Sequence, residues 1–240
     1  MIPLHDALVP VQAVTAGNIP QVDYHLHTTW TDGKHSAAEM HASAVRAGLD
    51  TVLFSEHARQ TSEDWFHDFA AEIRALPKDR CHALVGVEAK VLDFEGNIDS
   101  TPGIVGTCDM VMASVHRLAR REGPGVEEFD QSNPDTALAT ELEMSLAVLE
   151  NPAVHILGHP FGVSMTRFKA KPTEAHYKAI IEKAAKTGVA FEVNSYYHPE
   201  PWTLIRWCRE AGARISLGSN AHHVDTVGEI SRRLKQESGG

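Results

Sequence analysis

The chain is poor in cysteine and has no long apolar run. Its three cysteines, Cys81, Cys108 and Cys208, are far apart among 240 residues and form no Cys-x-x-Cys pair. An odd, dispersed set of thiols excludes a disulfide framework and points to a reducing compartment. No apolar stretch approaches the ~20 residues that cross a bilayer, and the N-terminus lacks a basic-then-apolar leader pattern. The expectation is a cytoplasmic protein with no membrane partner. Basic charge is scarce as well: 22 Lys and Arg against 32 Asp and Glu leave a net charge of −10. That argues against a broad grip on nucleic acid, except for a nucleotide taken as a substrate. G-x-S-x-G, a Walker-type loop, and a nucleophilic Cys or Ser beside a base are all missing. Covalent acyl chemistry and nucleotide-driven chemistry have no support.

What the chain has in excess is histidine, fifteen in all. Their placement follows a pattern. Short apolar runs end again and again in an imidazole or a carboxylate: at His25-Leu26-His27, at Glu56-His57, at Glu88, at His116, at His159 and at Asn220-Ala221-His222. If the runs are parallel strands, their C-terminal ends lie together and these side chains converge on one pocket. Many imidazoles with few carboxylates make a metal site. His25 and His27, two apart, would share one face of a strand and could bind one ion together. Any one of these histidines alone reads as a packed or capping residue; the weight comes from the set.

The chain divides into an N-terminal arm over residues 1–20, with Pro3, Pro10, Gly17 and Pro20, and a body over 21–240. Strands are expected near 21–25, 51–55, 83–88, 109–115, 154–158, 188–193 and 214–218. Helices are expected at 36–47, 62–76, 135–149, 173–186, 201–211 and 224–236. Ser36 with Glu39 offers a capping box, and Gly188 and Gly212 sit where helix C-termini should be. Seven strands alternating with helices suggest a β/α barrel one unit short of eight, with no linker to a second domain. Residues 117–134, with Gly123, Pro124, Gly125 and Pro134, read as a long polar loop leaving His116.

The motifs Asp23-Tyr24-His25-Leu26-His27-Thr28, Thr31-Asp32-Gly33, Ser55-Glu56-His57, Gly86-Val87-Glu88, Ser114-Val115-His116, Gly158-His159-Pro160 and Gly218-Ser219-Asn220-Ala221-His222 occur in this order. In them the chain resembles the polymerase-and-histidinol-phosphatase (PHP) family of metal-dependent phosphoesterases, over about residues 22–233. The resemblance implies an α/β fold, a distorted seven-stranded (β/α)7 TIM-like barrel in a single domain. It also implies two or three divalent ions, zinc, manganese or iron. His25, His27, His57, Glu88, His116, His159 and His222 become metal ligands, with Glu88, His159 and His222 also catalytic. Asp32 matches a position that often binds metal; its alternative is a turn residue in Thr-Asp-Gly, and His35 is its neighbouring competitor. The implied reaction is hydrolysis of a small phosphomonoester by a metal-activated hydroxide. Arg117, Arg167 and Lys169, with Lys171 beside them, are candidates to bind the phosphate, and Glu192 and Asn194 to orient ligands.

Two departures stand out. Asn220 replaces a metal-binding aspartate, and a neutral amide is a poorer donor, so one ion site is expected to be weaker. Glu56 replaces an aspartate that is not a ligand. The departures keep other readings open: a phosphodiesterase, nucleotide or amide hydrolase on the same metals, or a non-catalytic metal-binding module. A histidine-rich metal store fits poorly, because stores cluster their ligands in short tracts. His5, His41, His67, His82, His155, His176, His198 and His223 read as solvated or packing residues.

Overall fold

The computed structural model describes residues 8–121 and 133–238. Seven strands run parallel and in sequence order around one sheet. They are β1 (Val22–Leu26), β2 (Thr51–Glu56), β3 (His82–Lys90), β4 (Met110–Ser114), β5 (Ile156–Gly158), β6 (Ala190–Asn194) and β7 (Ile215–Gly218). Nearly every strand residue is buried, as expected of a parallel sheet covered by helices on its outer face. Each expected strand appears, with ends shifted by a residue or two.

Eight helices occur among the described residues: α1 (Ala37–Arg46), α2 (Glu63–Ala75), α3 (Pro102–Thr107), α4 (Pro134–Val148), α5 (Gly162–Arg167), α6 (Glu174–Thr187), α7 (Pro201–Ala211) and α8 (Glu229–Ser238). The Ser36–Glu39 capping box is present. Gly188 and Gly212 end α6 and α7 in the left-handed conformation that glycine adopts without strain. The short helices α3 and α5 have no counterpart in the sequence reading, because six residues carry too little periodicity. The last helix begins at Glu229 instead of Val224. Gly228 breaks it at φ +75°, and the Gly228 N–H donates to Asp23 Oδ2 at 2.8 Å.

Seven strands leave one seam, between β7 and β1. It is closed just beyond β7, where His27 N–H donates to Ala221 O and Ala221 N–H to His25 O, both at 2.9 Å. The buried Asp23 carboxylate ties the same seam, accepting from Ser219 N–H at 2.9 Å as well as from Gly228. Burial pushes Asp23 up to about 6 despite these donors.

Residues 8–20 pack on the body: Leu8, Val11 and Val14 are buried, and Arg209 donates to Val14 O at 2.5 Å. The rest of the expected arm, 1–7, and residues 122–132 of the expected polar loop lie outside the described residues. No helix among the described residues is long and apolar enough to cross a membrane. All three thiols are free; burial pushes Cys81 and Cys208 up to about 12, and Cys108 higher still.

A buried carboxylate also fixes the turn after β5. Glu141, on α4, accepts the Ser164 N–H at 2.7 Å and lies against the Phe161 and Val163 amides, so it caps the start of α5. This holds a turn in which His159 (φ 26°) and Phe161 (φ 67°) are both left-handed, a conformation that costs about 1–2 kcal/mol per non-glycine residue. Burial pushes Glu141 from 4.5 up to about 7, against the amide donors. Between those pH values the folded chain holds a proton that the unfolded chain has released. The Glu141 contribution to stability therefore declines as pH rises from 4.5 to 7. Glu141→Gln keeps the acceptor oxygen without the titration. In urea unfolding, wild type should lose up to about 3 kcal/mol relative to Glu141→Gln over that window, and a pH-independent difference would sink this account.

Candidate metal centre

The C-terminal ends of six strands meet over the barrel mouth. Glu88, in β3, sits at the middle with a fully buried carboxylate. Its Oε1 lies 2.7 Å from His159 Nε2 and 3.1 Å from His116 Nε2. Its Oε2 lies 3.2 Å from His57 Nδ1, 3.3 Å from His25 Nε2 and 3.4 Å from His27 Nε2. His25 and His27 point into the barrel together, their Nε2 atoms 3.1 Å apart. On the open side, Asp32 Oδ1 is 3.2 Å from His222 Nε2 and Oδ2 is 3.7 Å from His57 Nε2.

This packing fits metal ions and little else. Five imidazole nitrogens face one carboxylate, which can neither accept from all of them nor offset five imidazolium charges. His27 Nδ1 and His159 Nδ1 are buried with no hydrogen-bond partner among the described residues. Burial and the neighbouring His57 and His25 hold His27 well below the usual imidazole range, so its ring is neutral and free to donate a lone pair. Burial lowers His57 too. Burial also opposes charge on His25, but Glu192 and Glu88 outweigh it and raise its pKa. Burial favours the acid form of Glu88, yet His25, His116 and His57 hold it well below the carboxylate range. Three sets of donors, His27-Asp32-His57-His222, His25-His27-Glu88 and His57-Glu88-His116, are each compact enough to hold a cation.

A second ring of residues orients the first. His25 Nδ1 donates to Glu192 Oε1 at 2.8 Å, which leaves Nε2 to face the cluster. Glu192 Oε2 accepts the His159 N–H at 2.5 Å, and Asn194 Nδ2 donates to Oε1 at 2.9 Å. Residue 218 must be glycine, since a Cβ there would run into Glu192 Oε1 and His25. Glu56 accepts the Thr28 N–H at 2.7 Å and the Thr28 hydroxyl at 2.6 Å, and also takes the Thr31 hydroxyl, so it pins the loop that presents Asp32. Asp23 and Glu56 were given no role by sequence reasoning. Their only signal was to be acids inside apolar runs, which demands a buried partner.

The remaining expected residues divide. His35 does not join Asp32; its Nδ1 is 3.9 Å from Glu39 and its ring packs on His223. Asn220 is left-handed at φ 50°, a conformation asparagine tolerates, and its carbonyl accepts from His222 Nδ1 at 3.0 Å. Arg117 and Arg167 line a cavity of about 570 Å³ above Glu88, His57 and His116. Lys169 lies off that wall, its Nζ donating to Thr166 O at 2.7 Å, and Lys171 lines a different, largely apolar cavity between α6 and α7. His198 is a packing residue, accepting the Asn194 N–H and donating to Pro160 O. Arg59, Lys90, Trp30 and Trp65 join the cavity wall without having been singled out. Arg59 and Lys90 each stand two residues beyond a site residue, His57 and Glu88, and for Lys90 the strand period puts both side chains on one face.

Comparison with known proteins agrees with this geometry. The protein named probable phosphatase YcdX, from Escherichia coli and from Shigella boydii, is 26% identical over 225 residues, covering 89% of this chain and 83% of the relative. A histidinol phosphate phosphatase from Lactococcus lactis, solved with zinc, L-histidinol and phosphate, superposes with a TM-score of 0.65 at 22% identity, covering 91% of this chain and 94% of that one. A histidinol phosphatase structure from Listeria monocytogenes, described as putative, gives a TM-score of 0.69 at 18% identity, covering 86% and 97%. A family model described as PHP domain matches residues 23–196, well over half of the sequence. The chain belongs to the PHP domain family.

Proposed function

We propose that this protein is a metal-dependent phosphomonoesterase acting on a small phosphorylated metabolite. The proposal assigns two or three divalent ions, zinc, manganese or iron, to His25, His27, Asp32, His57, Glu88, His116, His159, Asn220 and His222. The observation that carries it is the ring of five imidazole nitrogens within 3.4 Å of the Glu88 carboxylate. Such a nitrogen-rich set suits borderline transition ions better than magnesium or calcium. Bound there, the ions would polarise phosphoryl oxygens and bring the pKa of water near neutrality. Arg117 and Arg167, on the cavity wall, would grip the phosphoryl oxygens with paired N–H donors. Glu192 keeps His25 in one tautomer and fixes the His159 backbone, so the donors hold their spacing while substrate enters. Glu88 and His159 belong to that ring and His222 stands beside it against Asp32; these three would be the catalytic residues. The phosphatase name of the Escherichia coli relative and the phosphate in the Lactococcus lactis structure support the same chemistry.

Protein loaded with zinc or manganese should release phosphate from a panel of monoesters that includes histidinol phosphate. His159→Ala should cost at least ~100-fold, since even outer-ring partners of metal ligands cost 10–100-fold. No phosphate release in any metal would sink the proposal. Glu192→Gln should weaken zinc binding by about 10- to 100-fold in a chelator competition while the fold persists; unchanged affinity would remove Glu192 from the ligand support. A non-catalytic metal-binding module is the second reading, and Asn220 favours it. The left-handed backbone accepts aspartate as readily as asparagine, so Asn220→Asp should raise the ion count per chain in elemental analysis, with phosphatase activity rising alongside. A higher ion count with no activity in either form would decide for the binding module.

A further inference from the structure

The wall of the cavity above the metal centre carries more positive charge than one phosphate requires. Arg59, Lys90, Arg117 and Arg167 all line it. They come from the ends of β2, β3 and β4 and from the helix that follows β5, four neighbouring strands, so they cover one continuous arc of the mouth. None of the four side chains has an ion pair or a hydrogen bond among the described residues. The acids of the same cavity, Asp32 and Glu88, are engaged with imidazoles. Asp99 lies near Lys90 but bonds the Gln60 amide instead. Four clustered, unpaired cations repel one another, and in a protein of net charge −10 such an arc is not a by-product of composition.

A phosphoryl group held by the metal centre can engage Arg117 and Arg167 and still leaves Arg59 and Lys90 facing the rest of the substrate. We infer that the substrate is a phosphomonoester bearing a second anionic group, a bisphosphate in the simplest case, with Arg59 and Lys90 as its specificity determinants. The inference rests on the phosphomonoesterase reading for what the metal centre holds. It sets this chain apart from a site built for a cationic leaving group, because an amine entering the cavity would meet the same arc. The half-buried Trp30 and Trp65, stacked 5.7 Å apart, form the apolar side of the cavity. They leave the charged arc as the polar recognition surface.

The test uses matched pairs differing only in the second charge. Metal-loaded protein is assayed with butane-1,4-diol bisphosphate, butyl phosphate and histidinol phosphate. Non-hydrolysable butane-1,4-bisphosphonate and butylphosphonate are titrated calorimetrically against the same protein. The bisphosphate should exceed butyl phosphate in kcat/KM by about 10- to 100-fold, mostly in KM, as expected of charge-assisted contacts. Histidinol phosphate should be the poorest of the three. The bisphosphonate should bind tighter by a similar factor. Arg59→Gln with Lys90→Met, which keep the apolar stems, should bring both ratios down at least tenfold at unchanged melting temperature. Ratios within the twofold statistical advantage of two equivalent phosphates, or ratios unchanged in the double variant, would overturn the inference while leaving the phosphatase reading intact. Preferential bisphosphonate binding without any hydrolysis would support the anion site and overturn the phosphatase reading instead.

Discussion

Closing a sheet of seven parallel strands is the constraint on which the rest of this structure depends. One seam must be sealed where the eighth strand of a regular barrel would stand, and here it is sealed beyond β7 by the residues that carry chemistry. The Ala221 amide and carbonyl bond the backbone of His25 and His27, so the hydrogen bonds that complete the barrel also set where two imidazoles point. Asp23 supplies the matching support from below by collecting the Ser219 and Gly228 amides. Architecture and site are the same set of contacts at this edge. A disturbance of the seam would reach the metal donors at once.

Burial then decides the electrostatics. The acids beneath the mouth, Asp23, Glu56, Glu88 and Glu192, are taken out of water, which alone would neutralise them. Asp23 and Glu56 yield to that pressure in part, rising to about 6 and about 7, and act through backbone and hydroxyl donors. Glu88 and Glu192 stay ionised because histidines surround them. The outcome is a protein that is acidic overall with a mouth where imidazoles and cations crowd around few carboxylates. Basic side chains outnumber acids on the cavity wall, the reverse of the balance in the whole chain.

Most of the fold was legible in the sequence, because parallel strands buried on both faces read as plain apolar runs and the capping residues marked helix ends. Six strand ends converge as the histidine pattern indicated, and His25, His27, His57, Glu88, His116, His159 and His222 lie together. What stayed hidden has a physical reason in each case. Short helices such as Gly162–Arg167 have no period to detect and depend on a distant carboxylate, Glu141, for their start. Asp23 and Glu56 looked like members of motifs, but their partners are backbone amides and hydroxyls that no spacing rule reveals. Lys169 belonged by position to the loop after His159, yet its left-handed backbone turns the amine onto Thr166. Arg59 and Lys90 were passed over because an isolated basic residue on a surface is usually only solvated.

The three thiols have a bearing on how such a centre is filled. Cys81 and Cys208 are buried and Cys108 is partly so; burial pushes all three pKa values far up, which keeps the thiols protonated near neutral pH. Sulfur is the donor that captures zinc or copper most tenaciously. An incoming ion therefore meets a chain whose tight donors are nitrogen and oxygen, gathered in one place. Among the described residues, the donors gathered closely enough to hold an ion are the imidazoles and carboxylates of the mouth, with no thiol among them.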